Sequence, residues 1–185
     1  MASLPNSKKV TYEEWLRMPE VSDAIEEVVN GEVRIMPAPK LKHGLIIRRL
    51  CKAFDAQTDD KKVLVLDTNF GLVIRREPLT TRVPDLAVFE WGTLVELDGY
   101  VHSAPQLAVE VLSPANSRRE REEKLQDYAS LGVPEVWVFA PEGRTVEILY
   151  LEDGQYRRHE ILADGILKPR LFPNVHIDIS EIWPD

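Results

Sequence analysis

The run Leu107-Ala108-Val109-Glu110-Val111-Leu112 limits the fold more than any other stretch, because it is apolar without alternation except for one carboxylate in its middle. A strand apolar on both faces must be covered on both, which points to the interior of a sheet flanked by helices. Val83 to Phe89 is a second run of this kind, and Val63 to Leu66, with its continuation through Phe70 to Ile74, is a third. Together they predict a central sheet. Helical spacing supplies the cover. Ile46, Ile47, Leu50, Ala53 and Phe54 recur every three or four residues and predict an amphipathic helix from His43 to about Gln57. Ser117 and Glu120 form a capping box that opens a helix to Leu131, which Gly132 and Pro134 stop.

Shorter signals fill in the rest. Thr11 with Glu14 predicts a short helix ending near Met18, and Asn30-Gly31 joins Ile25–Val29 to Glu32–Met36 as an N-terminal β-hairpin. Val136–Phe139, Val146–Leu151 and Tyr156–Ile161 read as strands, with Asp153-Gly154 as a turn. Trp91 to Pro105 reads as a long loop and the Pro- and Ile-containing tail as irregular. The expectation is an α/β (α+β) protein with a mixed central sheet flanked by helices. A length of 185 residues with 44% hydrophobic and 29% charged residues suits one domain spanning 1–185.

Composition also excludes some functions. No apolar stretch approaches the ~20 residues of a membrane helix. The first fifteen residues lack a secretory signal, so a cytoplasmic location is expected. Cys51 is the only cysteine, which rules out an internal disulfide and a multi-cysteine zinc site; it reads as a core residue. The net charge of −8 means that any nucleic-acid partner must find a local basic surface. The pairs Arg48-Arg49, Arg75-Arg76, Arg118-Arg119 and Arg157-Arg158 supply one only if they converge. Trp15, Trp91, Trp137 and Trp183 read as packing residues.

Glu110 in its apolar strand must be protonated, paired with a cation or bound to a metal, because an unpaired buried charge costs several kcal/mol. Asp85 poses the same problem, and its period-two position puts it on the face of Val83, Ala87 and Phe89. A buried ion pair or a backbone cap would account for either one alone. If the two strands are neighbours, two carboxylates meet at one sheet end, and all-oxygen ligation there suits Mg²⁺ or Mn²⁺. Lys124 shares a helical face with Arg121 and Tyr128, and its stem can run along the core to bring the ammonium to the carboxylates; a solvated lysine in a charged run is the alternative.

Pro84-Asp85, Glu110 followed by Leu112-Ser113-Pro114, then Lys124 and Tyr128 before Gly132-Val133-Pro134-Glu135, together resemble the Uma-type family of restriction endonucleases within the PD-(D/E)XK nuclease superfamily. Glu27 to Glu32, Pro37-Ala38-Pro39 and His43-Gly44 extend the resemblance from about Thr11 to Leu151. It implies a restriction-endonuclease-like core and a Mg²⁺- or Mn²⁺-dependent endonuclease acting on DNA. Asp85, Glu110 and the carbonyl of Val111 would be metal ligands, with Lys124 near the scissile phosphate. The superfamily's lysine position two residues after the Glu is Leu112 here, so the resemblance assigns the role to Lys124 on the following helix. Glu27 matches a further acidic catalytic position, although the preceding residue is Glu26 where the family has Tyr. His43 is a candidate for a proton or phosphate contact, with a helix cap as its commoner role.

A homodimer is expected, since cutting both strands of a duplex takes two sites. Two other classes compete: a catalytically inactive nuclease-fold interaction module, favoured by Leu112 in the lysine position, and a carboxylate-pair glycosidase. The enzyme reading further expects that replacing Lys124 leaves folding almost unchanged.

Overall fold

The computed structural model describes residues 9–19, 21–22, 24–67, 70–113 and 117–184. Thr11 caps helix α1 (Tyr12–Trp15) through its hydroxyl while Glu14 reaches back to the Thr11 N–H. The helix stops at Trp15, short of Met18, with Tyr12 and Trp15 buried and Arg17 and Met18 held only in tight turns. Strands β1 (Ala24–Val29) and β2 (Glu32–Pro37) form the hairpin, with φ of 53° at Asn30 and 83° at Gly31. Such φ values suit a type I′ turn. A Cβ on Gly31 would also lie 2.8 Å from Lys9 Cβ. Gly31→Ala is therefore expected to cost about 1–2 kcal/mol, read as a fall of roughly 2–8 °C in a thermal melt.

Helix α2 (Leu41–Asp55) leads into β3 (Val63–Asp67), β4 (Leu72–Arg76), β5 (Leu79–Arg82) and β6 (Leu86–Glu90). A 3₁₀ turn at Trp91–Thr93, β7 (Glu96–Leu97) and β8 (Tyr100–Val101) occupy the expected loop, and β9 (Leu107–Val111) precedes α3 (Arg118–Leu131). Next come β10 (Glu135–Ala140), β11 (Thr145–Glu152) and β12 (Gln155–Leu162), then β13 (Ile166–Leu167), β14 (Ile177–Asp178) and α4 (Ile179–Ile182).

Six strands in the order β12-β11-β10-β9-β6-β3 make the central sheet. Only the β9–β10 pair is parallel, so the sheet is mixed as expected. One face packs Leu86, Val88, Leu107, Val109 and Trp137 against Ile46, Leu50 and Phe54 of α2 and Ile179 and Ile182 of α4. The other packs Ala87, Phe89, Ala108, Val136 and Val138 with Tyr128 of α3 and Leu72 of β4. Among the described residues, no helix is long and apolar enough to cross a membrane.

Three expectations are corrected. The strand from Val63 and its continuation to Ile74 are two strands in different sheets, since β4 joins the four-stranded sheet β5-β4-β8-β7. At Gly71, where β4 approaches, a Cβ would stand 2.8 Å from the Tyr100 ring, so β4 can lie beside β8 only without a side chain there. The Trp91–Pro105 stretch is not simply a loop, because β7 and β8 form an antiparallel pair. The tail is not irregular filler: Leu167, Phe172, Val175, Ile177 and Trp183 are all buried in the larger core.

Candidate active site

Asp85 and Glu110 come together because of the strand register. β6 pairs antiparallel with β9 through Leu86↔Val109 and Ala87↔Ala108, and one further step sets Asp85 opposite Glu110. Both share the face of Ala87 and Ala108, which α3 covers. Pro84 has no N–H for a ladder, so regular pairing starts after it and Asp85 sits at the sheet end. There its N–H donates to Val109 O at 3.1 Å, and its Oδ2 accepts the Val111 N–H at 2.7 Å. Val111 thus anchors one of the carboxylates by its backbone.

Glu110 accepts from Lys124 Nζ at 2.8 Å on one oxygen and from the Tyr128 hydroxyl at 2.5 Å on the other. Lys124 and Tyr128 lie one turn apart on α3, whose capping box and Gly132 stop (φ 90°) fix the register of that face. The Lys124 ammonium also donates to Val83 O at 2.9 Å and lies 3.3 Å from Glu27 Oε1, so its three protons each face a protein oxygen.

Glu27 is buried (2% exposed), and its Oε1 accepts the Val83 N–H at 2.9 Å while its Oε2 accepts from Arg82 at 2.8 Å. Arg82 in turn grips Asp127 at 2.6 and 2.8 Å. A buried chain of alternating charge thus runs Asp127, Arg82, Glu27, Lys124, Glu110.

The electrostatics follow from this chain. Burial would raise the Glu27 carboxyl, but Lys124, Arg82 and the Val83 N–H outweigh it and hold Glu27 below the usual range. Burial would lower the Lys124 ammonium, yet Glu110, Glu27 and Asp85 hold it above its ordinary value. Glu110 goes the other way: burial, partly countered by Lys124 and reinforced by the Asp85 charge, pushes it up to about 7.

Between the ordinary carboxylate value and about 7, the folded chain therefore holds a proton that the unfolded chain has released. Glu110's contribution to stability is complete below that window and is lost as pH rises through it. In EDTA, denaturant unfolding should show the wild type losing stability from pH 5 to pH 8 relative to Glu110→Gln. Parallel curves for the two proteins would contradict the buried proton.

Asp85 and Glu110 keep unused lone pairs, since Asp85 Oδ2 and each Glu110 oxygen accept one protein hydrogen bond and can accept two. Two oxygen-donor side chains at a half-open sheet end fit a hard divalent cation. Among the described residues, no group of three or more His, Cys, Asp or Glu side chains is gathered to hold a metal. An ion such as Mg²⁺ binds through one or two carboxylates and completes its shell with water and phosphate oxygens.

Sequence reasoning missed the Arg82–Asp127 pair and did not place His43 beside Asp85. His43 Nε2 lies 2.9 Å from Asp85 Oδ1, with too poor an alignment for a hydrogen bond. The signal for Arg82 and Asp127 was available: Arg82 is next to the Val83-Pro84-Asp85 motif, and Asp127 lies three residues after Lys124 on the same helix face. Pro114 of the Leu112-Ser113-Pro114 motif lies outside the described residues.

The four arginine pairs fall on α2, β4, α3 and β12. Arg49, Arg75, Arg118 and Arg158 are engaged with carbonyls or carboxylates. Trp15, Trp137 and Trp183 pack in the interior, but Trp91 is 46% exposed and is a corrected expectation. Cys51 is only half-buried at the edge of the larger core, also a departure from expectation.

A mixed sheet with helices on both faces, and carboxylates from adjacent antiparallel strands meeting a helix-borne lysine at its end, define a restriction-endonuclease-like fold. Residues 12–180 match the Uma2 family, described as "Putative restriction endonuclease". The chain belongs to that family. It is also similar in structure to a protein from Anabaena variabilis described as a putative nuclease belonging to DUF820, with a TM-score of 0.76 and 21% identity over 94% of this chain and 97% of that one. No protein of curated function matches the sequence.

Proposed function

We propose that the chain, as one domain over residues 1–185, is a metal-dependent endonuclease that hydrolyses phosphodiester bonds of DNA in the cytoplasm as a homodimer. The observation that carries this reading is the meeting of Asp85, Glu110 and Lys124 at one sheet end. Asp85, Glu110 and the Val111 carbonyl would hold Mg²⁺ or Mn²⁺, which when bound supplies charge neutralisation at the phosphoryl oxygens and acidifies water.

The chain's own residues do the rest. The Val111 N–H fixes the Asp85 carboxylate, and Tyr128 orients Glu110 from the opposite side. Lys124 stabilises negative charge developing on the phosphate once one of its protons turns from Glu110 to the substrate. Glu27, held by Arg82 and the Val83 N–H, keeps the ammonium at the sheet end and is a positioning residue in this scheme.

One observation favours the second reading, an inactive interaction module: Lys124 and Glu110 satisfy each other as a structural pair would. Thermal melts with and without Mg²⁺ or Mn²⁺, beside cleavage of plasmid and single-stranded DNA, separate the two. Metal-dependent stabilisation with cleavage is expected. Neither in the wild type would put the interaction module first. Light scattering at micromolar concentration is expected to give a dimer.

A further inference from the structure

Behind the carboxylate pair, charges of alternating sign run Arg75, Asp127, Arg82, Glu27, Lys124, Glu110. Arg82 stands inside this row and is 3% exposed. Its Nε and Nη2 donate to Asp127 Oδ2 at 2.8 and 2.6 Å, and its Nη1 donates to Glu27 Oε2 at 2.8 Å. Asp127 belongs to α3, the helix that carries Lys124, and Glu27 belongs to β1. The rigid guanidinium fork therefore fixes where the Glu27 carboxylate stands relative to the helix that carries the ammonium.

We propose that Arg82 is a positioning residue for cleavage: by holding Glu27, it leaves the Lys124 ammonium at Glu110, where it can serve the scissile phosphate. The inference rests on the nuclease reading for the reaction that the ammonium serves.

The distances and burial support this assignment. Lys124 Nζ donates to Glu110 at 2.8 Å but stands 3.3 Å from Glu27 Oε1, which already accepts the Val83 N–H at 2.9 Å. Glu27 is the more deeply buried of the two carboxylates, its side chain 3% exposed against 16% for Glu110. A charge left unpaired there costs more. Without Arg82, Asp127 keeps Arg75 at 3.1 Å, and Arg34 stays on Glu123 at 2.7 Å. Glu27 is then left with Lys124 as its one cation among the described residues. The ammonium is drawn toward Glu27, and Glu110 keeps the Tyr128 hydroxyl. Arg82 is too buried to touch a substrate, so its effect on cleavage passes through Glu27.

Arg82→Gln/Asp127→Asn replaces the ion pair by two amides and leaves Glu27 charged. In crystals of this variant grown in EDTA, Lys124 Nζ is expected within hydrogen-bond distance of Glu27 and out of reach of Glu110. Adding Glu27→Gln removes the charge that draws the ammonium, which is expected back at Glu110. In steady-state cleavage of DNA with Mg²⁺, the double variant should lower kcat by ~10²-fold, the loss that follows a misplacement of about 1 Å. KM should stay within about threefold of the wild type, since the ammonium acts on charge developing in the transition state. In the Glu27→Gln background the same two substitutions should change kcat by less than about threefold, because the link through Glu27 is gone. Should the double variant not fold, Arg82→Lys decides, because it keeps a cation in the core but one ammonium cannot span Asp127 and Glu27. The same displacement of Lys124 is expected there.

A merely structural Arg82 would lower the melting temperature and leave the ammonium on Glu110. That result, or a kcat that falls equally with and without the Glu27 charge, would overturn the inference. The crystallographic comparison needs no activity, so a wild type that cleaves no DNA counts against the nuclease reading alone.

Discussion

Asp85→Asn is expected to abolish both metal-dependent plasmid cleavage and the stabilisation that Mg²⁺ or Mn²⁺ gives the wild-type chain. At an ion concentration a hundredfold above its dissociation constant, that stabilisation is about 2.7 kcal/mol. For a chain of this length it reads as roughly 5–10 °C in a thermal melt. The substitution removes a charge while keeping most of the geometry, because the asparagine carbonyl can still accept the Val111 N–H that Asp85 Oδ2 accepts at 2.7 Å. In EDTA the variant should melt at or above the wild-type temperature, since the Asp85 charge is one of the causes that raise Glu110 and would be gone. A metal shift that survives in Asp85→Asn would place the ion elsewhere. A variant that loses the shift but unfolds many degrees earlier in EDTA would make Asp85 a structural anchor for β9, and the lost metal response a consequence of disorder.

The sequence was most informative where apolar pattern and turn chemistry agreed. The run around Glu110, the Asn30-Gly31 hairpin and the capped helix from Ser117 all have physical signals confined to a few consecutive residues. The carboxylate pair was legible for the same reason, since a charge inside an apolar strand is conspicuous. What stayed hidden depends on pairing between distant segments. Strand β5 buries Thr80 and Thr81, whose hydroxyls accept the Asn30 and Val28 N–H groups of the hairpin, so it carries no apolar alternation. Arg82 looks like a surface arginine until β1 brings Glu27 and α3 brings Asp127 to it. His43 reads as an ordinary residue of a helix's first turn, and only the packing of α2 on the sheet end sets it against Asp85. The tail's Ile177, Ile179 and Ile182 lie in elements too short for a periodic signal, although all three are buried.

Lys124→Ala is expected to cut metal-dependent cleavage by a factor of about 10²–10³, the loss associated with removing one electrostatic stabiliser of the transition state. The sequence alone led to the expectation that folding would barely change, and the geometry reverses it. Lys124 stands between Glu110 at 2.8 Å and Glu27 at 3.3 Å, both largely withdrawn from water. Removing the cation from a buried pair costs about 3–5 kcal/mol, so a fall of roughly 6–20 °C is expected in EDTA at pH 8, above the value of about 7 to which Glu110 is pushed. Loss of activity alone could then reflect unfolding, and the double variant Lys124→Ala/Glu110→Gln resolves this. Neutralising Glu110 removes the charge that Lys124 compensated, so the two changes should couple favourably and recover part of the lost stability, while cleavage stays absent at temperatures where the double variant is folded. If Lys124→Ala melts like the wild type, the ammonium does not hold the buried carboxylates. If the folded single variant still cleaves at the wild-type rate, charge stabilisation at the phosphate belongs to another residue.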